Sequence, residues 1–551
     1  MEKINIFERK PFLISLVSQL ILGVGIFLRL AHYFENRSFW LDETYQTIRI
    51  TSRSYDDILR NVEIFPELVR VPLGFDLVEK FFVNLGGNNE FAFRFFPLIS
   101  SIAALILFSF LVKKYLNPGL QLITVGLFAI AEPLVYYAAE VKQYSTDLLI
   151  AIVFILGMNV FLKKKSAGGW IILTLAGAAG LWVSHSVIFV LAGIGVFLLI
   201  DTLINKKWGD LIKLSVLGLA WLTSFYFVFK MALEPMVKST TLLGEWESAF
   251  FKGPVLSVES LQWLGGSMLA SFNNPVGLGW PYLIAVFFVL GIKEIFRQQK
   301  LKSLLIILPI VFVLTAGFLG KYPFRGRLLL FLIPFYYIVI GYGVQWVLGF
   351  MQTKKWIGWF IVCGLLFYYP VREASAHLLK GRELTQNRQA MNFLSQNYQA
   401  GDFIFLNTSG KFPFWYYVGQ LGISKKFLVK PCAIYNGVVH SAVKVGTFAR
   451  SLIQAPSGLR TMIYQFEYNE YNDNGMFRDS FCENAQRNKV FTVVEGFYRP
   501  YPALGRTWVF LSSGDDYDEK ANKIIKDSFD STSKLLQSFT GKNVGVYLYY
   551  L

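Results

Sequence analysis

Ser38-Phe39-Trp40-Leu41-Asp42-Glu43-Thr44-Tyr45 begins three residues after an apolar run, Pro11 to Phe34, that is long enough to span a bilayer. Its two adjacent carboxylates are flanked by Trp40 and Tyr45, aromatic types that settle at a membrane–water interface. A membrane-proximal carboxylate between aromatic walls suits a general base for a substrate arriving from lipid. The same letters also fit an ordinary helix start, with Asp42 as cap and Glu43 in the first turn. The surrounding sequence decides between the two.

Composition sets the class. Of 551 residues, 54% are hydrophobic and only 16% charged, and the mean hydropathy is +0.44. These values lie outside the range of soluble globular chains. The expectation is a polytopic α-helical membrane protein. A net charge of +16 is compatible with nucleic-acid binding in a soluble protein. Here the Lys and Arg fall between apolar runs, where basic residues meet lipid instead, so no nucleic-acid partner is expected.

Eleven apolar runs are read as spans, covering about residues 11–34, 91–112, 119–139, 146–162, 168–184, 186–204, 211–229, 280–296, 303–320, 328–351 and 356–370. Polar sequence between about residues 35 and 90 forms a long first loop, with amphipathic patches at Tyr55–Val62 and Leu73–Leu85 that read as short surface helices. The third run is interrupted at Glu132-Pro133. Basic clusters recur at alternate boundaries: Lys3, Arg9 and Lys10, then Lys113-Lys114, Lys163 to Lys165, Lys206-Lys207, Arg297 with Lys300 and Lys302, and Lys354-Lys355. The positive-inside rule makes these cytoplasmic. Asp42-Glu43, Glu140 with Lys142, Arg325 with Arg327, and everything after residue 370 are then expected together on the external face.

Residues 371–551 have the composition of a soluble domain, following a transmembrane domain at 1–370. β-Rich runs at Phe403–Leu406, Thr461–Tyr464, Phe491–Val494, Thr507–Leu511 and Val544–Tyr550, with helical patterns at Thr385–Asn397 and Ala521–Phe539, predict a small extracytoplasmic α/β domain. Cys432 and Cys482 lie in this part, as a disulfide or as two unrelated thiols. His32, His185, His377 and His440 are scattered through the chain, and each reads as structural. No cluster demands a metal and no cofactor is firmly implied, although Asp42 with Glu43 offers hard oxygen ligands for one divalent ion. Asp515-Asp516-Tyr517-Asp518 contains an Asp-x-Asp pattern but reads as a solvated turn before a helix.

Two further stretches carry ionisable groups where they are costly. Glu140, Lys142 and Tyr144 end a run of tyrosines at a membrane boundary, and a charge at mid-membrane costs roughly 2.5–3.5 kcal/mol. Lys321-Tyr322-Pro323-Phe324-Arg325-Gly326-Arg327 sets three cations on the external side against the general trend. An Arg fork donates two parallel hydrogen bonds, so Tyr322, Arg325 and Arg327 read as a site for a lipid phosphate.

The order of Trp40-Leu41-Asp42-Glu43, Glu90-Phe91-Ala92-Phe93-Arg94, Tyr136 to Tyr144, and Tyr322 to Arg327 resembles the GT-C superfamily of polyprenyl-phosphate-sugar-dependent glycosyltransferases. That superfamily includes bacterial aminoarabinose transferases and protein mannosyltransferases. The likeness covers about residues 10–370. It departs from the family at Arg70-Val71-Pro72-Leu73, where a His-Pro-Pro stretch is common, and at Lys142, where Arg is common.

The resemblance implies inverting sugar transfer from a polyprenyl-phosphate donor to an acceptor hydroxyl of a lipid, glycan or protein. Asp42 would be the general base with Glu43 beside it, and Lys142, Arg325, Arg327 and Tyr322 would hold the donor phosphate. Arg70, Glu140 and Tyr144 complete the expected substrate-binding set, all lining one cavity at the outer leaflet. It implies a multi-pass protein of a bacterial inner membrane, N-terminus cytoplasmic and C-terminal domain extracytoplasmic. The rival is a transporter or flippase of lipid-linked saccharides, which should instead place polar groups at midplane within broken spans.

Overall fold

The computed structural model describes residues 11–62, 70–238, 246–254, 257–350, 355–399, 402–407, 409–420, 461–464, 490–496, 506–514 and 516–550. Cys432, Cys482, His440 and Asp515 lie outside them. The chain divides into two compact units. One comprises residues 1–35, 66–82 and 94–381, and the other 36–65, 83–93 and 382–551.

The first unit is helical. Within the described residues, seven helical stretches are long and apolar enough to cross a membrane, or eight if the bent pair Pro118–Ile130 and Glu132–Ala139 counts as one span. The pair meets at 53°, where Pro133 cannot donate the hydrogen bond that would continue the first helix. All eleven apolar runs read from the sequence are helical. They exceed the count of spans partly because Ala167–Val183 is a shorter apolar helix, and because Pro281–Gln299 and Leu304–Phe318 fall in one 38-residue stretch.

Packing in this unit relies on small residues, as it must where lipid tails remove any hydrophobic drive between helices. Where the Pro281–Gln299 and Ile333–Phe350 helices cross, Gly291 faces the Val339 carbonyl and Gly343 faces the Phe287 carbonyl. A Cβ on either glycine would overlap the opposing backbone. Phe108 stacks on Phe128, with ring centroids 4.3 Å apart, in a core that also takes in Tyr336 and Tyr337.

The second unit contains a six-stranded mixed sheet of order β2-β3-β1-β4-β6-β5. Its strands are β1 (Phe403–Asn407), β2 (Thr461–Tyr464), β3 (Val490–Gly496), β4 (Arg506–Ser512), β5 (Lys534–Gly541) and β6 (Val544–Tyr550). β1 runs parallel to both β3 and β4, and the remaining pairs are antiparallel. Ile525 and Phe529 of the Asp516–Thr532 helix pack with Val509, Leu511, Tyr547 and Tyr549 of the sheet.

The five expected β-runs all lie in strands. The expected helix at Ala521–Phe539 is corrected: it ends at Thr532, and Lys534–Gly541 is strand β5, hairpinned to β6. Asn543 takes a left-handed φ of +51° at that turn, and Asn is among the few residues that tolerate it.

Candidate functional site

In the second unit, Asp42 and Glu43 open the Leu41–Thr51 helix. Trp40 is the N-cap and makes no side-chain capping bond, so Asp42 is the second helical residue rather than the cap. Negative charge in a first turn is favoured by the helix dipole. Asp42 is half-buried, whereas Glu43 is fully buried with an Arg37 guanidinium nitrogen 3.7 Å from its carboxylate.

The residues leading into this helix are fastened by side chains from far along the chain, within the same unit. Tyr417 Oη accepts from the Phe39 backbone N–H at 2.7 Å, and Asn387 Nδ2 donates to the Phe39 carbonyl at 3.0 Å. Ser38 donates its N–H to Glu383 at 3.0 Å and its hydroxyl to Gln389 at 2.8 Å. Arg388 binds the Glu90 carboxylate through Nε at 3.0 Å and through its terminal nitrogen at 2.7 Å. Aromatic contacts reinforce these bonds, with Phe39 4.9 Å from Tyr416 and Tyr45 5.8 Å from Phe412, centroid to centroid. Nothing in the local sequence announces this clamp, because its partners lie about three hundred or more residues apart.

In the first unit, Glu140 and Lys142 are buried in the tight turn that precedes the Tyr144–Phe161 helix, with the Lys142 N–H donating to the Glu140 carbonyl at 2.7 Å. Gly326 sits between the two arginines at φ +51°, and there glycine matters: a side chain would be strained, although the nearest atom to a Cβ is 3.8 Å away on Asn274. The turn gives the two cations different surroundings. Arg325 is exposed and donates to Ser248 Oγ at 2.6 Å. Arg327 is half-buried, its guanidinium 5.9 Å from the Tyr144 ring centroid and 6.0 Å from that of Trp246. Such placement over aromatic faces stabilises a cation.

Tyr322 meets Phe189 edge to face, with centroids 5.1 Å apart, and donates its hydroxyl to the Leu328 carbonyl at 2.9 Å. Burial raises its pKa, and the fields of Asp147 and Tyr144 raise it further. Arg70 donates to the Met231 carbonyl at 2.8 Å. Thus Tyr144, Arg327 and Tyr322 converge, while Arg325 and Arg70 engage other partners.

Two acids not singled out from the sequence also stand out. Asp147 is buried in its helix near Ser184 and Ser186, which hydrogen-bond to each other at 3.2 Å. Glu79, on the Leu73–Gly86 helix, is fully buried with no hydrogen-bond partner among the described residues. Burial, and secondarily the charge of Asp76, holds its carboxyl well above the usual range.

This arrangement, a multi-pass helical unit with an α/β sheet in the C-terminal third, has the fold of the GT-C class of membrane glycosyltransferases. ArnT from Cupriavidus metallidurans shares the fold over 97% of each chain: the apo structure at TM-score 0.50 and 10% identity, and the undecaprenyl-phosphate-bound structure at 0.49 and 11%. The Archaeoglobus fulgidus oligosaccharyltransferase AglB, solved with an inhibitory peptide and a dolichol-phosphate, matches at TM-score 0.42 and 12% identity over 74% of this chain and 60% of its own. Residues 70–229 match the family described as dolichyl-phosphate-mannose-protein mannosyltransferase. No curated protein sequence matches the chain significantly.

Proposed function

We propose that this protein transfers a sugar, with inversion, from a polyprenyl-phosphate donor to an acceptor hydroxyl. The observation that carries the reading is the Arg327–Tyr144–Trp246 grouping beside the Lys142 turn, in a chain with the GT-C fold. It supplies partly desolvated positive charge from segments that the sequence assigns to the donor phosphate. Family resemblance supports the same donor class, since residues 70–229 match a family described by a polyprenyl-type phosphate sugar.

In this reaction Asp42 takes the proton from the acceptor hydroxyl. The oxygen attacks the anomeric carbon as the bond to the phosphate oxygen breaks, and polyprenyl phosphate leaves with the bonding electron pair. Lys142, Arg325 and Arg327 stabilise the charge that grows on it, while Tyr322, Arg70, Glu140 and Tyr144 position the substrates. Electrostatic stabilisation of a leaving group is commonly the largest contribution, and a general base adds about 10²–10⁴-fold. The protein is proposed to sit in a bacterial inner membrane with Asp42 and the C-terminal domain outside the cytoplasm.

The test is transfer by purified protein from a panel of polyprenyl-phosphate sugars, run beside Asp42→Asn. Turnover should fall by about 10²–10⁴ in the variant while donor binding persists. An equally active variant removes Asp42 from the mechanism, and a wild type inactive with every donor removes the reaction itself.

A further inference from the structure

Two of the four histidines, far apart in the sequence, meet in the first unit. His32 lies near the end of the Pro11–Phe34 helix and His377 near the end of the Lys355–Lys380 helix. His377 Nε2 is 2.7 Å from His32 Nδ1, and the rings stand edge to face with centroids 4.4 Å apart. Glu35, one residue beyond the first helix, brings Oε2 to 3.0 Å from His32 Nδ1 and Oε1 to 3.7 Å from His377 Nε2. Both histidines are buried, whereas the Glu35 side chain is 25% exposed.

Protons alone satisfy this cluster poorly. His32 Nδ1 carries at most one hydrogen, which cannot point well at both the Glu35 carboxylate and His377 Nε2. If the nitrogen is bare it faces the carboxylate lone pairs instead. Two imidazole nitrogens and a carboxylate gathered this closely, one carboxylate oxygen towards each ring, form an arrangement that a cation resolves. In a tetrahedral site with metal–ligand bonds of about 2.0–2.1 Å, neighbouring ligand atoms stand about 3.3 Å apart. The three separations here, 2.7, 3.0 and 3.7 Å, straddle that value, and among the described residues this is the one set of three His, Cys, Asp or Glu side chains whose ligand atoms gather within 4.8 Å.

A fourth residue supplies what a histidine ligand ordinarily has on its far side. Glu132, at the break in the bent helix pair, places Oε1 3.4 Å from His377 Nδ1. The two atoms do not form a hydrogen bond, but the carboxylate's charge at that distance favours the proton on Nδ1, with the Nε2 lone pair on the side of Glu35 and His32. Tyr136 borders the other ring, with its centroid 5.4 Å from that of His32.

We propose that His32 Nδ1, His377 Nε2 and the Glu35 carboxylate bind one first-row divalent cation, Zn²⁺ foremost, with Glu132 as the positioning residue for His377. Two imidazoles and one carboxylate leave the fourth tetrahedral position for water or an oxygen ligand. The exposed side of Glu35 gives the ion its way in. Bound there, the metal ties the first described helix to the last helix of the same unit. The proposal stands apart from the transfer reaction, because its readouts are metal binding and stability.

The experiment uses the full-length protein, purified without a histidine tag, stripped with chelator and titrated with Zn²⁺. Metal content is read by mass spectrometry and coordination by the visible bands of a Co²⁺-loaded sample. The wild type should take up one tightly held ion, show a four-coordinate N/O spectrum without thiolate bands, and melt higher with Zn²⁺ than without. His32→Ala and His377→Ala should lose the ion. Glu132→Gln, which leaves all three ligands in place, should weaken binding by about 10–100-fold. A wild type that binds no ion, or whose Co²⁺ bands are octahedral, overturns the proposal without recourse to any variant. Full affinity in both histidine variants overturns it too.

Discussion

The segment leading into Asp42 and the turn carrying Arg325 and Arg327 are held by different physics. Ser38 and Phe39 are fixed by hydrogen bonds with five side chains, Glu383, Thr385, Asn387, Gln389 and Tyr417, to which the Arg388–Glu90 pair adds charge. The arginine turn depends on one glycine dihedral and on two aromatic faces beside Arg327. A polar clamp of this kind spreads its load: each bond contributes about 0.5–1.5 kcal/mol net, and more where a charge is involved. The turn concentrates its load at Gly326. The acid is therefore built into the α/β unit by long-range polar contacts, and the cations into the helical unit by local backbone geometry.

The strongest way to break that contrast is to remove the charged member of the clamp. Arg388→Ala takes away both bonds to Glu90, whose side chain is only 12% exposed. It should destabilise the second unit by about 2–3 kcal/mol. Unfolding of the full-length protein in detergent or nanodiscs would show this as an earlier transition. No change in melting would mean that the clamp is redundant.

The arginine turn should respond in affinity rather than stability. Arg327→Ala should weaken binding of a polyprenyl phosphate by about tenfold, equivalent to about 1.4 kcal/mol. Arg325→Ala should do less, because that side chain is exposed and its field is screened by solvent. Isothermal titration of both variants checks the order, and an equal effect would erase the distinction drawn between them.

The mildest change tests the buried acid of the Leu73–Gly86 helix. Because Glu79 has a raised pKa when folded, the native state holds its proton more tightly than the unfolded chain does. Its contribution to stability is therefore greatest at low pH and declines as pH rises above the ordinary carboxylate pKa. Glu79→Gln is nearly isosteric with the protonated acid. It should match the wild type to within about 1 kcal/mol at low pH and become the more stable of the two as pH rises towards and past neutrality. Melting curves across pH for the two proteins would show whether the slopes differ.

What could be read from the sequence followed the range of the interactions. The apolar runs and the five β-runs were legible because hydrophobic period and β-branched content are local properties. The break at Glu132-Pro133 was legible for the same reason. The Lys534–Gly541 strand was not, since Lys-Leu-Leu-Gln continues a helical pattern and only the hairpin turn at Asn543 overrides it. The polar clamp on Phe39 and the meeting of His32 with His377 were beyond reach, because each joins residues about 345 or more positions apart. Histidines that look dispersed along the chain become neighbours only once the first described helix and the last helix of the helical unit are packed.

The Gly291–Gly343 crossing bears on how the helical unit moves. Two backbones in direct contact, with no side chain as spacer, behave as a single girder: neither helix slides or rolls without colliding with the other's carbonyl groups. Any breathing that would admit the tail of the proposed lipid donor must therefore open a different seam of the bundle, leaving this pair as the fixed frame against which the rest shifts.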